Sequence, residues 1–211
     1  MFYDTEKNDH GLPFNPFKSC VVPRPIGWIT SIDKMGNINL APYSYFNIVS
    51  DVPPMIMFST TNSHHRDGVK DTLKNIEETK EFVVNIATWN LREAVNLTSA
   101  DFDREINEIE KAGLLTLPSI YVKAPRINGS PIHLECIYYQ SIQLPVKDKK
   151  YTNRLVIAKV IGIHIDDKIL TDGKIDIAKF KPIARLGYME YAVIDKVFSM
   201  ERPYINSKPI K

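Results

Sequence analysis

The chain has 211 residues, 44% of them hydrophobic and 25% charged, with a net charge of +2. A chain of this length buries about 70% of its extended surface, so it builds its own core, and its composition excludes a disordered polymer. The nearly balanced charge, with Lys and Arg scattered rather than striped, predicts no nucleic-acid wrapping and no membrane-surface binding.

Acidic and basic residues (Asp4, Glu6, Lys7, Asp9) follow Met1 at once, so a secretory leader is not expected. No uncharged apolar run approaches the ~18 residues of a membrane span. Cys20 and Cys136 fit no metal or redox spacing and read as small buried hydrophobes. A reducing cytoplasm is the expected compartment.

In chain order, Pro13, Pro16, Pro23 and Pro25 make the leading segment extended. Residues 26–32 read as a strand, 33–37 as a turn, and 38–47 as the returning strand. Pro42 interrupts that return, which argues for a bulge or a sheet edge with free backbone amides. An apolar run at 54–60 has strand length. Residues 71–79 read as a helix, with Leu73 and Ile76 three apart, and 81–86 as a strand. A second helix is predicted at about 91–98, with Asn90 and Glu93 as a capping pair. A third short helix ends near Ala112, with Gly113 as its stop. Asn128-Gly129 signals a tight turn. Residues 132–144 and 154–165 are long strand-like runs; Asp172-Gly173 is a turn, and 192–200 closes the chain as a strand.

Seven or eight strands that do not alternate with the helices exclude a doubly wound parallel sheet. The pattern predicts one mainly β domain over residues 1–211, an antiparallel barrel with helical excursions, its core at about 21–191 and an extension at 192–211. Both faces of 155–165 are apolar, so the outward one needs a helix or a second subunit over it. A homodimer is expected on that ground.

Two segments carry candidate chemistry. In residues 59–73 a strand ends, a polar loop with Arg66 follows, and Lys70, Asp71 and Thr72 open a helix. Helix N-termini present free N–H groups and partial positive charge, which favour a phosphate. Taken alone, the segment also describes a capped surface helix behind a solvated loop. The hairpin at 26–47 offers the hydroxyls of Thr30, Ser31 and Ser44 beside Trp28, Tyr43, Tyr45 and Phe46. Core packing accounts for most of the aromatics, yet a flat ring with a polar rim would suit the same hairpin. A third segment, Pro182 to Tyr188, places Arg185 beside Gly187; a surface arginine at a turn is its ordinary reading.

No G-x-G-x-x-G, P-loop or G-x-S-x-G pattern occurs. His10, His64, His65, His133 and His164 show no metal-ligand spacing. His164, in an apolar strand, reads as a satisfied core histidine. No carboxylate pair stands out for acid–base work, which is compatible with hydride transfer to a bound ring.

Five ordered blocks resemble the flavin reductase-like, FMN-binding split-barrel family, which includes flavoredoxins and the reductase partners of two-component monooxygenases. They are Pro23-Arg-Pro-Ile-Gly-Trp-Ile-Thr-Ser31, Asn39-Leu-Ala-Pro-Tyr-Ser-Tyr-Phe-Asn47, Arg66-Asp-Gly-Val-Lys-Asp-Thr72, Phe82-Val-Val-Asn-Ile86 and Ile183-Ala-Arg-Leu-Gly187. The resemblance implies a homodimeric antiparallel split barrel with FMN near the interface. It puts Thr30, Ser31, Ala41, Pro42, Ser44, Phe46 and Asn47 around the ring and ribityl chain, and Ser59, Arg66, Lys70, Asp71 and Thr72 around the phosphate. It implies NADH or NADPH as electron donor and a redox partner protein or monooxygenase as acceptor. A non-catalytic FMN carrier of the flavoredoxin type is the alternative. Tyr188 stands where such proteins often have a second glycine, which implies narrower access to the exposed flavin face.

Overall fold

A computed structural model describes residues 1–61, 69–148, 151–205 and 208–209. The first hairpin sets the frame. Strand β1 (Gly27–Ile32) pairs antiparallel with β2 (Ile38–Tyr43), from Gly27 opposite Tyr43 to Ile32 opposite Ile38. The turn between them forms because the Asp33 carboxylate accepts from the backbone N–H groups of Met35 and Asn37 and from the Asn37 amide, at 2.8–2.9 Å. Gly36 supplies the positive φ of 94° that this turn requires.

The return does not run unbroken to Asn47 as the pattern predicts. It stops at Tyr43, and Ser44 and Tyr45 link it to β3 (Phe46–Asp51), which pairs with β4 (Pro54–Thr60). After β4, helix α1 (Asp71–Thr79) buries Leu73 and Ile76 and ends on Lys80, whose left-handed backbone lets its N–H reach Ile76 O. Strands β5 (Glu81–Ile86), β6 (Ile132–Gln143) and β7 (Arg154–Ile165) complete an all-antiparallel sheet in the order β2-β1-β5-β6-β7-β4-β3. The two edge strands, β2 and β3, are consecutive in the chain and joined by two residues. The sheet therefore curls until its edges meet at that link, and no ladder closes it: the barrel is split there. Pro42, which cannot donate to a ladder, sits on the edge strand β2, as its chemistry requires.

The fold is mainly β, with 38% strand and 17% helix. Phe58, Phe82, Val84, Cys136, Val156 and Ala158 fill the interior, and Leu73 and Ile76 of α1 plug it. Outside β1, Trp28, Ile26 and Leu40 pack against Val95 of α2 (Arg92–Leu97) and Ile109 of α3 (Glu108–Lys111). The predicted Asn90 cap is absent. The chain enters α2 through a 3₁₀ turn at Trp89–Leu91, and no side chain caps either start. No described helix is long and apolar enough to cross a membrane.

The final predicted strand is shorter than expected. A small sheet pairs Arg24–Pro25 with β8 (Ile183–Arg185) and β8 with β9 (Tyr191–Val193). Beyond Ile194, whose N–H reaches Pro182 O, residues 195–203 have no strand to lie against. Cys136 is buried, but Cys20, at the end of the short helix Phe17–Cys20 outside the barrel, is exposed.

Part of the outward face of β7 is covered by the chain itself rather than by a helix. Residues 119–124 fold over it, with Ile161 against Val122 and Ala124 and Gly162 close under the Tyr121 ring. The buried Glu135 carboxylate holds this cover. It accepts from the N–H groups of Ile120, Tyr121 and Val122 and from His164 Nε2. Burial pushes this carboxyl up, but the hydrogen bonds outweigh it and hold it below its ordinary value. Farther along, Ile163 on β7 and Ile137, Tyr139 and Ile142 on β6 are exposed.

A second buried network ties three strands together. Asn85 of β5 donates to Trp28 O at 2.9 Å and to the Thr30 hydroxyl at 2.7 Å. Its Oδ1 accepts from Ile127 N–H at 2.8 Å, which makes it the acceptor for His133 Nδ1–H at 2.9 Å as well. All four positions of the amide are used.

Candidate functional site

The split in the barrel opens a cleft of about 290 Å³. Pro42, Tyr43, Ser44 and Tyr45 form one side, and Ser59 and Thr61 at the end of β4 form the other. The corner is held by Ser59 N–H donating to Tyr45 O at 2.8 Å and by the Tyr43 and Phe58 rings, 5.0 Å apart. Lys70 lines the cleft and also a smaller adjoining space of about 90 Å³, bounded by Ala41, Asp71, Thr72, Asp101 and Glu108. Pro42, Tyr43 and Lys70 border both, so the two form one groove that ends at the start of α1.

At that end the N-cap residue Lys70 makes no side-chain cap among the described residues, and the first N–H groups of α1 suit an anion. Lys70 Nζ lies 3.0 Å from an Asp101 carboxylate oxygen. Asp71 is held by Arg104 at 2.9 Å, and Arg104 also faces Asp33 at 3.5 Å. The Thr72 hydroxyl is buried between the Asn39 side chain, at 2.7 Å, and Tyr43. Burial holds the Tyr43 hydroxyl well above its ordinary range. Glu108 accepts from Leu40 N–H at 3.2 Å; burial, with Asp71 nearby, pushes its carboxyl up.

At the other end, Arg24 joins the leading segment to the loop after β8. It donates to Lys18 O, to Val21 O and to Leu186 O. Gly187 fits here for want of a side chain: a Cβ would lie 1.7 Å from Ser19 Oγ. Tyr188 follows with a left-handed φ of 52°, costly for a bulky residue, and its carbonyl accepts from Arg185 at 2.5 Å.

The residues singled out from the sequence fall into four groups. Pro42, Ser44, Ser59 and Lys70 line the main cleft, and Ala41, Asp71 and Thr72 the adjoining space. Thr30, Ser31 and Phe46 lie behind the groove: Thr30 bonds to Asn85, Ser31 accepts from Asn75 at 3.2 Å, and the Phe46 ring covers the Gly27 backbone. Asn47 is exposed on β3, its side-chain oxygen accepting from Ile48 N–H. Arg66, with His64 and His65, lies outside the described residues. Thr61 lines the cleft two residues after Ser59, and Lys18 lines it without any sequence signal that marks it, because the fold rather than a local motif brings it there. A larger open depression of about 820 Å³, between the β1–β2 turn and α3, has mixed charge (Arg104 and Lys111 beside Glu105 and Glu110) and holds none of the predicted residues.

The groove fits an anionic, hydroxyl-bearing, planar group. It has a cation and an uncapped helix start at one end, small hydroxyls along its length and aromatic and proline surface beside them. In addition, Thr60 Oγ1, on a residue 1% exposed at the end of β4, has no hydrogen-bond partner among the described residues. Buried hydroxyls are nearly always paired, so this one is a polar atom left over.

Comparison with known proteins agrees with this reading. Residues 19–181 match the flavin reductase like domain family. An uncharacterised protein of Aquifex aeolicus is 41% identical over 192 residues, 90% of this chain and 94% of that one. The crystal structure of nitrilotriacetate monooxygenase component B from Bacillus cereus superposes with a TM-score of 0.85 at 31% identity, covering 95% of this chain and 98% of that one. That of Pseudomonas fluorescens 2-nitrobenzoate 2-nitroreductase does so with a TM-score of 0.82 at 27% identity, covering 100% and 99%. With more than half of its length matched to that family, this chain belongs to the flavin reductase-like family.

Proposed function

We propose that this chain is an FMN-dependent oxidoreductase that works as a homodimer in the cytoplasm. The observation that carries the reading is the groove at the barrel split, which runs from Arg185 and Tyr188 past Pro42–Ser44 to Lys70 and the uncapped start of α1. When bound, FMN supplies a two-electron carrier that accepts from NADH or NADPH and delivers to an acceptor.

The chain's own residues bind and orient it. Lys70, the α1 N–H groups at Asp71 and Thr72, and Arg66, four residues before Lys70 in the sequence, hold the phosphate. Ser59 and Thr61 offer hydroxyls to the ribityl chain. Pro42, Tyr43 and Ser44 line the ring edge; Ala41 lines the adjoining space towards the phosphate, and Thr30, Ser31 and Phe46 brace the hairpin from behind. No general base is needed; positioning and a fixed electrostatic environment are the protein's contribution. The exposed apolar side chains of β6 and β7, beyond the part covered by residues 119–124, serve as the subunit interface. Similarity to a monooxygenase component B supports an oxygenase partner as the consumer of reduced flavin.

The test is direct. Purified protein mixed with FMN and then with NADH or NADPH should lose its visible flavin band rapidly and catalytically. Retained FMN with no bleaching by either nicotinamide would make the protein a carrier, and failure to take up FMN would remove the proposal altogether.

A further inference from the structure

The phosphate end of the groove is not its last space. It leads into a constriction of about 10 Å³, and the constriction into the open depression of about 820 Å³ between the β1–β2 turn and α3. Asn39, Asp71 and Glu108 border both the phosphate end and the constriction. Asn37, Ile38, Arg104 and Ile106 border both the constriction and the depression. The three spaces stand in one line, and the middle one holds a single water at most.

The constriction is built rather than incidental. Arg104, from the stretch between α2 and α3, donates to an Asp71 carboxylate oxygen at 2.9 Å and to the Asn75 side-chain oxygen at 3.3 Å, both on α1. It also faces Asp33 of the β1–β2 turn at 3.5 Å. Asp33 cannot swing aside, because its carboxylate is fixed by the N–H groups of Met35 and Asn37 and by the Asn37 amide. One planar guanidinium therefore fastens three parts of the chain across the passage, a task that its fork of donors suits.

The charge around this plug is unbalanced. Asp33, Asp71 and Glu108 line the constriction, and Arg104 is the one Lys or Arg among the described residues that does so. Burial, with Asp71 nearby, already pushes the Glu108 carboxyl up. A phosphate monoester held by Lys70 and the start of α1 stops short of these groups. A second phosphate joined to the first would enter among three carboxylates, which repel it. An adenosine behind it would reach the depression only by parting Arg104 from its partners.

We infer that Arg104, with Ile106 beside it, is a specificity-determining residue that ends the flavin groove after one phosphate. The site then takes a flavin monophosphate and rejects a flavin joined through a diphosphate to adenosine. The inference rests on the flavin reading of the groove.

The experiment titrates wild type, Arg104→Ala and Ile106→Ala with FMN, FAD and riboflavin, read by calorimetry and by the shift of the flavin absorption band. FMN uptake by wild type is measured first, and no uptake overturns the functional reading and this one with it. Wild type should bind FMN about tenfold or more tightly than FAD, the scale of one charge-assisted hydrogen bond broken. In Arg104→Ala the gap should narrow severalfold because FAD gains, while riboflavin binding stays as it was. Ile106→Ala widens the passage without touching the ion pairs and should narrow the gap in part; where Arg104→Ala does not fold, this variant decides. Equal binding of FMN and FAD by wild type overturns this inference alone. So does a loss shared by all three flavins with the FMN-to-FAD ratio kept, which makes Arg104 a structural tie only, or a ratio that the folded variants leave unchanged.

Discussion

Replacing Asn85 by leucine is expected to lower the free energy of unfolding by about 4 kcal/mol, although the volume is nearly conserved. Asn85 is 0% exposed, and its amide serves Trp28 O, Thr30, Ile127 N–H and His133 at once. Leucine leaves the Ile127 and His133 donors buried without an acceptor, at roughly 1–3 kcal/mol each, and strands the Thr30 hydroxyl as well. The network joins β1, β5 and β6, so the loss falls on the centre of the sheet rather than on a fraying edge. Urea unfolding of the variant, with Asn47→Leu as an exposed control expected within about 0.5 kcal/mol of wild type, checks this. A loss at position 85 below about 1 kcal/mol would show that the amide is not the junction it resembles.

The second large effect is loss of stability in acid. Burial, together with the charges of Arg126 and His164, pushes the His133 imidazole down to about 4. In the unfolded chain it titrates near 6.5. Below that pH the unfolded state gains a proton that the folded state refuses until about pH 4. Stability therefore falls as pH drops through this window, by about 3 kcal/mol in all and about 2 kcal/mol between pH 7.5 and 5. Glu135 adds a later loss of the same sign. Its folded carboxyl lies below the ordinary value, so its contribution is complete above about pH 4.3 and disappears as pH falls through the folded value. Denaturant unfolding at pH 7.5 and 5 should show the drop in wild type. In His133→Asn, which keeps a donor for Asn85 but cannot titrate, the drop over that interval should be smaller by about 2 kcal/mol. An equal drop in both would mean that His133 is not the titrating group.

Much of the fold is written locally. The turn at Asp33–Asn37, the α1 limits and the run of β4 follow from an Asx turn, an i, i+3 apolar pair and a strand-length apolar segment, each decided within about ten residues. The misread elements are those that need a distant partner. Residues 195–200 carry apolar side chains at Val197, Phe198 and Met200, but the pairing of β8 with β9 runs out at Ile183 opposite Val193 and gives them nothing to pair with. Asn90 and Glu93 have the spacing of a capping box, yet Trp89 N–H donates to Lys181 O and the chain enters a 3₁₀ turn first.

The site divides the same way. Pro42, Ser44, Ser59 and Lys70 are found by motif because the hairpin and the β4–α1 junction are contiguous in sequence. The hydroxyls of Thr30 and Ser31 belong to the same motif, but strand alternation sends them to opposite faces of β1, where the amides of Asn85 and Asn75 take them up. Lys18 reaches the cleft only because the leading segment is tied to Leu186 through Arg24, a contact across 162 residues.

The measurement that bears most directly on the account is a calorimetric titration of wild type and Arg66→Ala/Lys70→Ala with FMN and with riboflavin. Binding of FMN by wild type, with a loss of about a hundredfold in the double variant and little change for riboflavin, is the expected result. Equal losses for the two ligands, or wild-type protein that does not bind FMN at all, would contradict it.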